Sequence, residues 1–508
     1  MQAMSKDDTM HNQCAMTTRR GFIVGAAAGA SMCSLRALAA GAKPNLRVGI
    51  LSDTHINRER AVTVRKALEF FRDRKVDAVM IAGDLSTRGQ IQELKQLADV
   101  WLEVFPDDKL PDGSPVERLF ITGNHDVDGH ANKLLTAKKP LKKAVEDSFY
   151  FRREKSWREL FRCEYAPVVK CEVKGYVFVL RNWHSRINDK KLKDAGWDGY
   201  TAKPEKNPLP EWFAEHDGEL PKDKPFFFCQ HETPAGTCSW DGKGIFDDGT
   251  AYRVLEKHPN AIAFSGHSHY SLLNASTIWQ GAFTSIGCSA SCGYTFTSPG
   301  RANGHAGSGD WRIRPPLTMP PIDFRSCQQG MLMEVYDDRI VLERRDLKNG
   351  ISLGEDWVIP LGCSANRPYL VESRRAAAKS PEFAAGAKVS VRYLPEGLNR
   401  MGEKDPQVEV SFPPVNGISV KGARAFDFLV DAVWKGKDGT RRAASLRVYS
   451  PNALMAPSFD VKTVTCRFQA ETFADRDGGD IAFTVTPLGE FGKNGRAIGT
   501  GWKFSENA

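Results

Sequence analysis

Five short polar clusters hold the side chains of this sequence that are best suited to chemistry. Each cluster follows a short apolar run. In chain order they are Asp53-Thr54-His55, Gly83-Asp84, Gly123-Asn124-His125-Asp126, His231 and Gly266-His267-Ser268-His269. Carboxylate oxygens, imidazole nitrogens and an amide oxygen are ligands that hard or borderline divalent metal ions accept. The residue types therefore point to a metal centre.

The spacing within the clusters supports this interpretation. Asp53 and His55 are two positions apart, so both can reach one ion from a single turn, and His267 and His269 have the same spacing. Glycines at 83, 123 and 266 predict tight backbone turns beside the ions. Any one of these motifs is common and often only ends a strand. The ordered set of five predicts a functional site.

The apolar runs before the clusters must position them. They are short and rich in β-forming residues, which predicts strands at Arg47–Leu51, Ala78–Ile81, Arg118–Ile121, Tyr176–Leu180, Pro225–Cys229 and Ala261–Phe264. Helical stretches such as Arg60–Arg72 and Ile91–Phe105 lie between them. This alternation predicts a layered α/β domain, in which functional groups collect at the carboxyl ends of the strands.

The order D-x-H, G-D, G-N-H-D, H and G-H-x-H resembles the calcineurin-like metallophosphoesterase family over roughly residues 45–345. The resemblance implies a four-layer α-β-β-α sandwich around two divalent metal ions (Mn, Fe or Zn). It implies these ligands: Asp53, His55 and His269 on the first ion, Asn124, His231 and His267 on the second, and Asp84 bridging both. The implied reaction is hydrolysis of a phosphate mono- or diester by a metal-activated water.

The resemblance also implies two residues that act on the substrate side. His125 corresponds to a histidine that binds no metal and protonates the leaving group, and Asp126 to the acidic partner that orients it. His184, after another predicted strand, is the next candidate for the acid. Purple acid phosphatases share the scaffold, but they carry a tyrosine three residues after the bridging aspartate. Thr87 stands there in this sequence, which predicts a centre without an iron–tyrosine bond.

The character of the chain changes after residue 386. Val389–Tyr393, Val408–Phe412 and Phe483–Val485 alternate with period two, which predicts a small all-β sandwich domain. This part contains no histidine. The predicted organisation is a signal peptide at 1–40, a metallophosphoesterase domain at 41–363, a linker or wrapped connection at 364–386 and the β domain at 387–508.

The first 40 residues read as a targeting segment. Arg19 and Arg20 precede an apolar run from Phe22 to Leu35, and Ala37-Leu38-Ala39 offers small residues for cleavage. The paired arginines favour export by the twin-arginine machinery, which places the mature protein in the periplasm or outside the cell. An ordinary secretory signal is the alternative. No later segment has the roughly 18 uninterrupted apolar residues of a membrane span.

Composition narrows the partners. The net charge is +8, 26% of residues are charged, and the excess positive charge is spread along the chain. The sequence therefore lacks the clustered basic residues that would predict nucleic-acid binding. The expected partner is a phosphate ester, approached through walls at residues 127–165, 184–210, 233–250 and 288–320. Two alternatives remain open: a non-catalytic cell-envelope binding protein on the same scaffold, and a phosphodiesterase specific for lipid or envelope substrates.

Overall fold

The structure, a computed structural model, describes ten stretches of the chain. They are residues 42–128, 153–185, 205–238, 247–291, 328–362, 367–398, 402–415, 425–450, 462–489 and 491–504. The predicted signal peptide and most of the predicted walls at 127–165 and 288–320 lie outside the described residues. All six cysteines in the described stretches are free thiols.

Two mixed sheets form the first part of the molecule. Their strands are β1 Leu46–Leu51, β2 Ala78–Ala82, β3 Glu117–Ile121, β4 Val168–Val173, β5 Tyr176–Arg181, β6 Phe226–Gln230, β7 Ala261–Ser265, β8 Ile278–Gln280, β9 Thr284–Gly287, β10 Gln329–Val335, β11 Arg339–Asp346, β12 Ile351–Ser352 and β13 Trp357–Pro360. The first sheet has the order β12-β11-β10-β1-β2-β3, with β13 also on β11, and the second has the order β4-β5-β6-β7-β9-β8. All six strands predicted here exist, to within one residue at each end.

Helices cover the outer face of each sheet. They are α1 Arg60–Asp73, α2 Ile91–Val104, the single turn α3 Asn124–Val127, α4 Arg153–Phe161, α5 Leu209–His216 and α6 Thr250–Leu255. A seventh helix, α7 Val371–Ala377, follows β13. Within the described stretches, no helix is both long and apolar enough to cross a bilayer.

The alternation of side chains along the strands explains the layers. In β2, Met80 faces the second sheet and joins a core between the two sheets, whereas Val79 and Ile81 pack against α1 and α2. In β6, Phe227 faces the same inter-sheet core, whereas Phe228 packs against α5 and α6. A period of two places successive side chains on opposite faces. The result is the predicted α-β-β-α arrangement, which is confirmed.

Parallel pairing brings the polar clusters to one side of the sheets. β1 pairs with β2 and β2 with β3 in parallel, and β5, β6, β7 and β9 also pair in parallel. The carboxyl ends of parallel neighbours lie at the same edge. The loops that follow β1, β2 and β3 in one sheet and β6 and β7 in the other therefore carry all five clusters.

The C-terminal part contains only antiparallel sheets. Its strands are β14 Ser390–Leu394, β15 Gln407–Phe412, β16 Ala425–Lys435, β17 Arg441–Tyr449, β18 Val464–Gln469, β19 Ile481–Gly489 and β20 Ile498–Trp502. They form one sheet of order β14-β15-β18 and one of order β17-β16-β19-β20. A common core that includes Val410, Phe428 and Phe483 joins the strands of both sheets. The predicted all-β region after the α/β part is thus confirmed, while the domain boundaries stay predictions.

The predicted linker is attached to the edge of the second sheet. Tyr369 accepts a backbone hydrogen bond from Gln280 at 3.2 Å, and its own amide donates to Gln280 Oε1 at 3.0 Å. Arg374 in α7 donates to the carbonyl of Ile278 at 3.0 Å. The connection therefore wraps along β8, the second of the two forms expected from the sequence.

Candidate metal centre

The five clusters meet at one place. Three overlapping groups of side chains have ligand atoms within 4.8 Å of one another: Asp53, His55 and His269; His55, Asp84 and His125; and Asp84, His231 and His267. Asp84 belongs to two of these groups. The structure therefore brings together, from two different sheets, the carboxylates and imidazoles that the sequence singled out.

The backbone at these positions is unusual. Five of the seven predicted ligands have positive φ: Asp53 at 48°, His55 at 39°, Asp84 at 51°, His267 at 61° and His269 at 51°. Side chains with a Cβ disfavour this region, and each such residue costs about 1–3 kcal/mol. The sharp turns after the strands bring side chains two positions apart, such as those of Asp53 and His55, to one place. Strain of this kind collects at functional sites.

The three motif positions require glycine for two different reasons. Gly83 has a φ of +90°, so the predicted tight turn is present there. At Gly123, a Cβ would lie 2.2 Å from Asp84 Oδ1, and at Gly266 a Cβ would lie 2.0 Å from Ser52 Oγ. Neither of these two needs a left-handed backbone. They are glycine because another cluster approaches where a side chain would stand.

Each aspartate is held by one oxygen and offers the other. Asp53 Oδ2 accepts hydrogen bonds from Ser52 Oγ at 2.6 Å and from the His267 amide at 3.0 Å. Asp84 Oδ1 accepts from the His125 amide at 2.8 Å. The remaining oxygens point at imidazoles: Asp53 Oδ1 lies 2.9 Å from His269 Nε2, and Asp84 Oδ2 lies 3.2 Å from His231 Nε2.

Unsatisfied buried atoms show that the donor set fits metal ions. His231 Nδ1 donates to the Ala82 carbonyl at 2.8 Å, which turns Nε2 toward the two aspartates. His231 Nε2 and Asn124 Oδ1 are buried, and neither makes a hydrogen bond with another described residue. Leaving such atoms unpaired costs about 1–3 kcal/mol each. A cation between them and the carboxylates would satisfy both atoms.

The protonation states of His55 and His267 favour ligation. Burial lowers the pKa of His55 to about 3 and that of His267 to about 4, so both rings are neutral near pH 7. Neutral imidazole is the form that binds metal. Burial also acts to lower the pKa of His231, but the carboxylates of Asp84 and Asp53 outweigh it and raise that pKa to about 9. At His231, protons and a metal cation would therefore compete for the place beside the two aspartates.

His125 lies at the edge of the centre, but its partner is not the expected one. Its Nδ1 donates to the carbonyl of Thr87 at 2.7 Å, and its ring lies 4.6 Å from that of His55, centroid to centroid. The Asp126 carboxylate instead accepts from the amides of Ser86 at 2.8 Å and Gly123 at 2.8 Å and from Ser86 Oγ at 2.6 Å.

The role expected for Asp126, orienting the His125 ring, is therefore filled by the Thr87 carbonyl. His125 and Asp126 are consecutive residues of α3, so their side chains point in different directions. Asp126 therefore does not easily contact the His125 ring. Asp126 fastens the loop after β2 to the loop after β3. The sequence did not predict the Thr87 carbonyl as the partner of His125, because every residue type has the same backbone carbonyl.

The residues after β5 form one wall of the centre. Trp183 lies with its ring centroid 6.0 Å from that of His231 and 6.2 Å from that of His267. His184, the second candidate acid, is almost buried, and its Nδ1 contacts the guanidinium of Arg181. Arg181 also lies 3.7 Å from Glu232. The position after a predicted strand was the signal for Trp183 and His184. The other predicted walls lie largely outside the described residues.

Comparisons with known proteins find one matching family model and several distantly similar solved structures. Residues 46–271 match the family model described as calcineurin-like phosphoesterase. A dimetal phosphatase from Danio rerio is 12% identical, with 63% of this chain and 99% of that chain covered and a TM-score of 0.36. GAP50, described as the anchor in the inner membrane complex of Plasmodium, is 13% identical, with 64% and 90% covered and a TM-score of 0.35.

A purple acid phosphatase from yellow lupin (Lupinus luteus) seeds is 13% identical, with 64% of this chain and 57% of that chain covered and a TM-score of 0.33. No curated protein matches the sequence significantly.

Proposed function

We propose that residues 46–271, a calcineurin-like metallophosphoesterase domain, bind two divalent metal ions and hydrolyse a phosphate mono- or diester. The observation that carries the proposal is the convergence of five clusters into three overlapping ligand groups, two of which contain Asp84. A structural role for so many buried histidines and aspartates is a poor alternative, because it leaves Asn124 Oδ1 without a hydrogen-bond partner among the described residues.

Two of the three groups match the ligand sets that the resemblance implies. Asp53, His55 and His269 would hold the first ion, His231 and His267 would hold the second, and Asp84 would serve both. Asn124, whose buried Oδ1 makes no hydrogen bond with another described residue, would complete the second set. Such a pair of ions polarises a bound phosphate and lowers the pKa of a bound water so that it attacks phosphorus near neutral pH. The mixture of imidazole and carboxylate suits Mn, Fe or Zn.

His125 would act on the leaving group. Its Nδ1 carries a proton, because the Thr87 carbonyl on that side can only accept. With a second proton on Nε2, the ring can act as an acid. His125 would give the Nε2 proton to the ester oxygen as the P–O bond breaks. The Thr87 bond fixes the ring while this transfer takes place.

A hydrolysis screen of the full chain tests the proposal. The substrates are a chromogenic monoester, a chromogenic diester, cyclic nucleotides and phospholipid head groups, each with Mn, Zn and Fe in turn. We expect turnover of at least one ester, loss on chelation and recovery on adding metal back. Full turnover in excess chelator would contradict the metal mechanism. Bound metal without turnover of any ester would favour the binding-protein alternative, and turnover of phospholipids alone would favour a lipid phosphodiesterase.

We also propose that the chain is exported by the twin-arginine machinery to the periplasm or beyond. The support is the sequence of the first 40 residues, with Arg19 and Arg20 before the apolar run. That route suits a protein that folds around its metals before export. Replacing both arginines by lysine should leave the full-length precursor inside the cell. Undiminished appearance of the shortened protein in the periplasm would favour the ordinary secretory alternative.

A further inference from the structure

A buried tryptophan connects the ligands of the second proposed metal ion. Trp183 is only 6% exposed and follows β5, in the second sheet. Its indole lies edge-on to the ring of His231, with an interplanar angle of 77°, and tilted by 41° to the ring of His267. The two histidine rings themselves are 5.1 Å apart, centroid to centroid. One aromatic wall therefore limits how both imidazoles can rotate.

The indole donates a hydrogen bond to a carboxylate in the loop after β3, a strand of the first sheet. Trp183 Nε1 donates to Asp128 Oδ2 at 2.7 Å, and Ser185 Oγ donates to Asp128 Oδ1 at 2.6 Å. Asp128 is buried and directly follows α3, where its amide donates to the carbonyl of Asn124 at 2.8 Å. Asp128 and the third proposed ligand, Asn124, thus belong to the same turn.

A further pair of hydrogen bonds fixes the backbone of this wall. The amide of Trp183 donates to Thr122 Oγ1 at 3.0 Å and lies 3.2 Å from the Thr122 carbonyl. Thr122 directly follows β3, just before Gly123 and Asn124. The loop after β5 is therefore attached to the loop that carries Asn124 both through the Trp183 amide and through the Trp183 indole. These bonds join the two sheets beside the second proposed metal site.

We propose that Trp183, held by Asp128, is a positioning residue that sets the geometry and affinity of the second metal site. The indole limits the rotation of His231 and His267, and Asp128 ties it to the turn of Asn124. The proposal rests on the two-metal function proposed above. Groups of this kind, behind the ligands, typically change metal affinity by 10–100-fold when they are removed.

Metal titration of the full chain, stripped of metal by a chelator, tests this. In wild type we expect two binding events for Zn²⁺ or Mn²⁺ by calorimetry. In Trp183→Leu we expect one of the two events, that of the second site, to lose roughly 10–100-fold in affinity while the other is unchanged. Trp434→Leu is the matched control, because Trp434 is 7% exposed, also donates to a carboxylate and lies in the C-terminal β region. It should bind both ions like wild type.

Asp128 variants keep the test valid if Trp183→Leu folds poorly. Asp128→Ala should weaken the same event in the same direction by a smaller factor, because the indole remains but loses its acceptor. Asp128→Asn should restore near-normal affinity, since its amide oxygen can still accept from the indole.

Tryptophan fluorescence gives a readout that is independent of activity. Addition of Co²⁺ to the stripped protein should change the emission, and that change should be much reduced in Trp183→Leu and retained in Trp434→Leu. Wild-type affinity for both ions in Trp183→Leu, or an equal loss at both sites, would overturn the positioning role. Failure of wild type to bind two ions would instead overturn the proposed function, so the two failures are distinguishable.

Discussion

Buried carboxylates are balanced differently in the two parts of this molecule. In the C-terminal β region, Glu409 is 2% exposed and contacts Arg392 at 2.6 Å and Arg467 at 2.8 Å. In the α/β part, Asp53 and Asp84 are equally buried, but their oppositely charged neighbours in the described stretches are histidines. Burying a charge is costly unless a partner compensates it. In the β region, arginine side chains compensate the charge of the buried Glu409 carboxylate. At Asp53 and Asp84, metal cations from solution would compensate the charge.

The backbone shows the same contrast. Every non-glycine residue with positive φ in the described stretches lies before residue 290, and five of them are predicted ligands. The described stretches from residue 367 onward have none. Strain concentrated in one region indicates a site whose geometry is fixed by the surrounding fold. The β region, with its regular strands and apolar core, shows how the same chain packs where no such geometry is required.

The largest effect should follow removal of the shared carboxylate. Asp84→Ala should reduce metal content from about two ions to one or none and abolish turnover, because Asp84 belongs to two ligand groups. Glu409→Gln is the counterpart in the β region. It should cost about 3–5 kcal/mol of stability by leaving two arginines without their buried partner, while metal content stays normal. Metal analysis and urea unfolding of both variants would check this. Normal metal content in Asp84→Ala would contradict the site.

The next effect separates chemistry from binding. His125→Ala should keep near-normal metal content and lose roughly 10²–10⁴-fold in turnover of esters with poor leaving groups. The loss should be smaller for nitrophenyl esters, since nitrophenolate departs with little protonation. Steady-state rates across a leaving-group series, with metal content measured on the same samples, give the answer. Metal loss as complete as in Asp84→Ala would make His125 a ligand, in line with its place in the group of His55 and Asp84.

A smaller effect is expected from one added methyl group. Gly123→Ala would place a Cβ 2.2 Å from Asp84 Oδ1 and 2.4 Å from the Asp84 amide, which must shift. Overpacking of this kind typically costs about 1–3 kcal/mol, and here it should appear as weaker metal binding. Gly218→Ala is the matched control, because nothing lies within 4 Å of its Cβ position. Equal metal affinity in the two variants would show that close approach does not explain Gly123.

The smallest effect at the site should come from the β core. Phe428 is fully buried between Phe412 and Phe383, and Phe428→Ala should cost about 3–5 kcal/mol of stability through the cavity it leaves. Metal content and turnover per folded chain should not change, because no proposed ligand contacts this core. Calorimetric melting together with metal analysis tests it. A loss of metal would show that the two regions are coupled more tightly than their contrast suggests.

Residue types and their order determined much of the secondary structure and of the candidate site. The five clusters and the apolar runs before them were enough to predict the polar groups that converge in the structure, and to predict six strands and helices α1 and α2 within a residue or so. The reason is local: a strand end and the polar residues after it are adjacent in the chain. The four-layer fold followed from the resemblance in that same order.

Tertiary structure decided what depends on contacts between distant segments. Strands β10 and β11 mix charged, polar and methionine side chains, which is a weak strand signal. β10 pairs with β1 across nearly 300 residues, and β11 joins the sheet by pairing with β10. The partner of His125 is a backbone carbonyl of Thr87, 38 residues away, which no residue type announces. Gly123 and Gly266 are glycine because of side chains that arrive from other strands. Trp183 became a wall of the second site only when the two sheets met, because its neighbours come from both. Sequence therefore determined which polar groups converge at the candidate site, and packing determined what holds them.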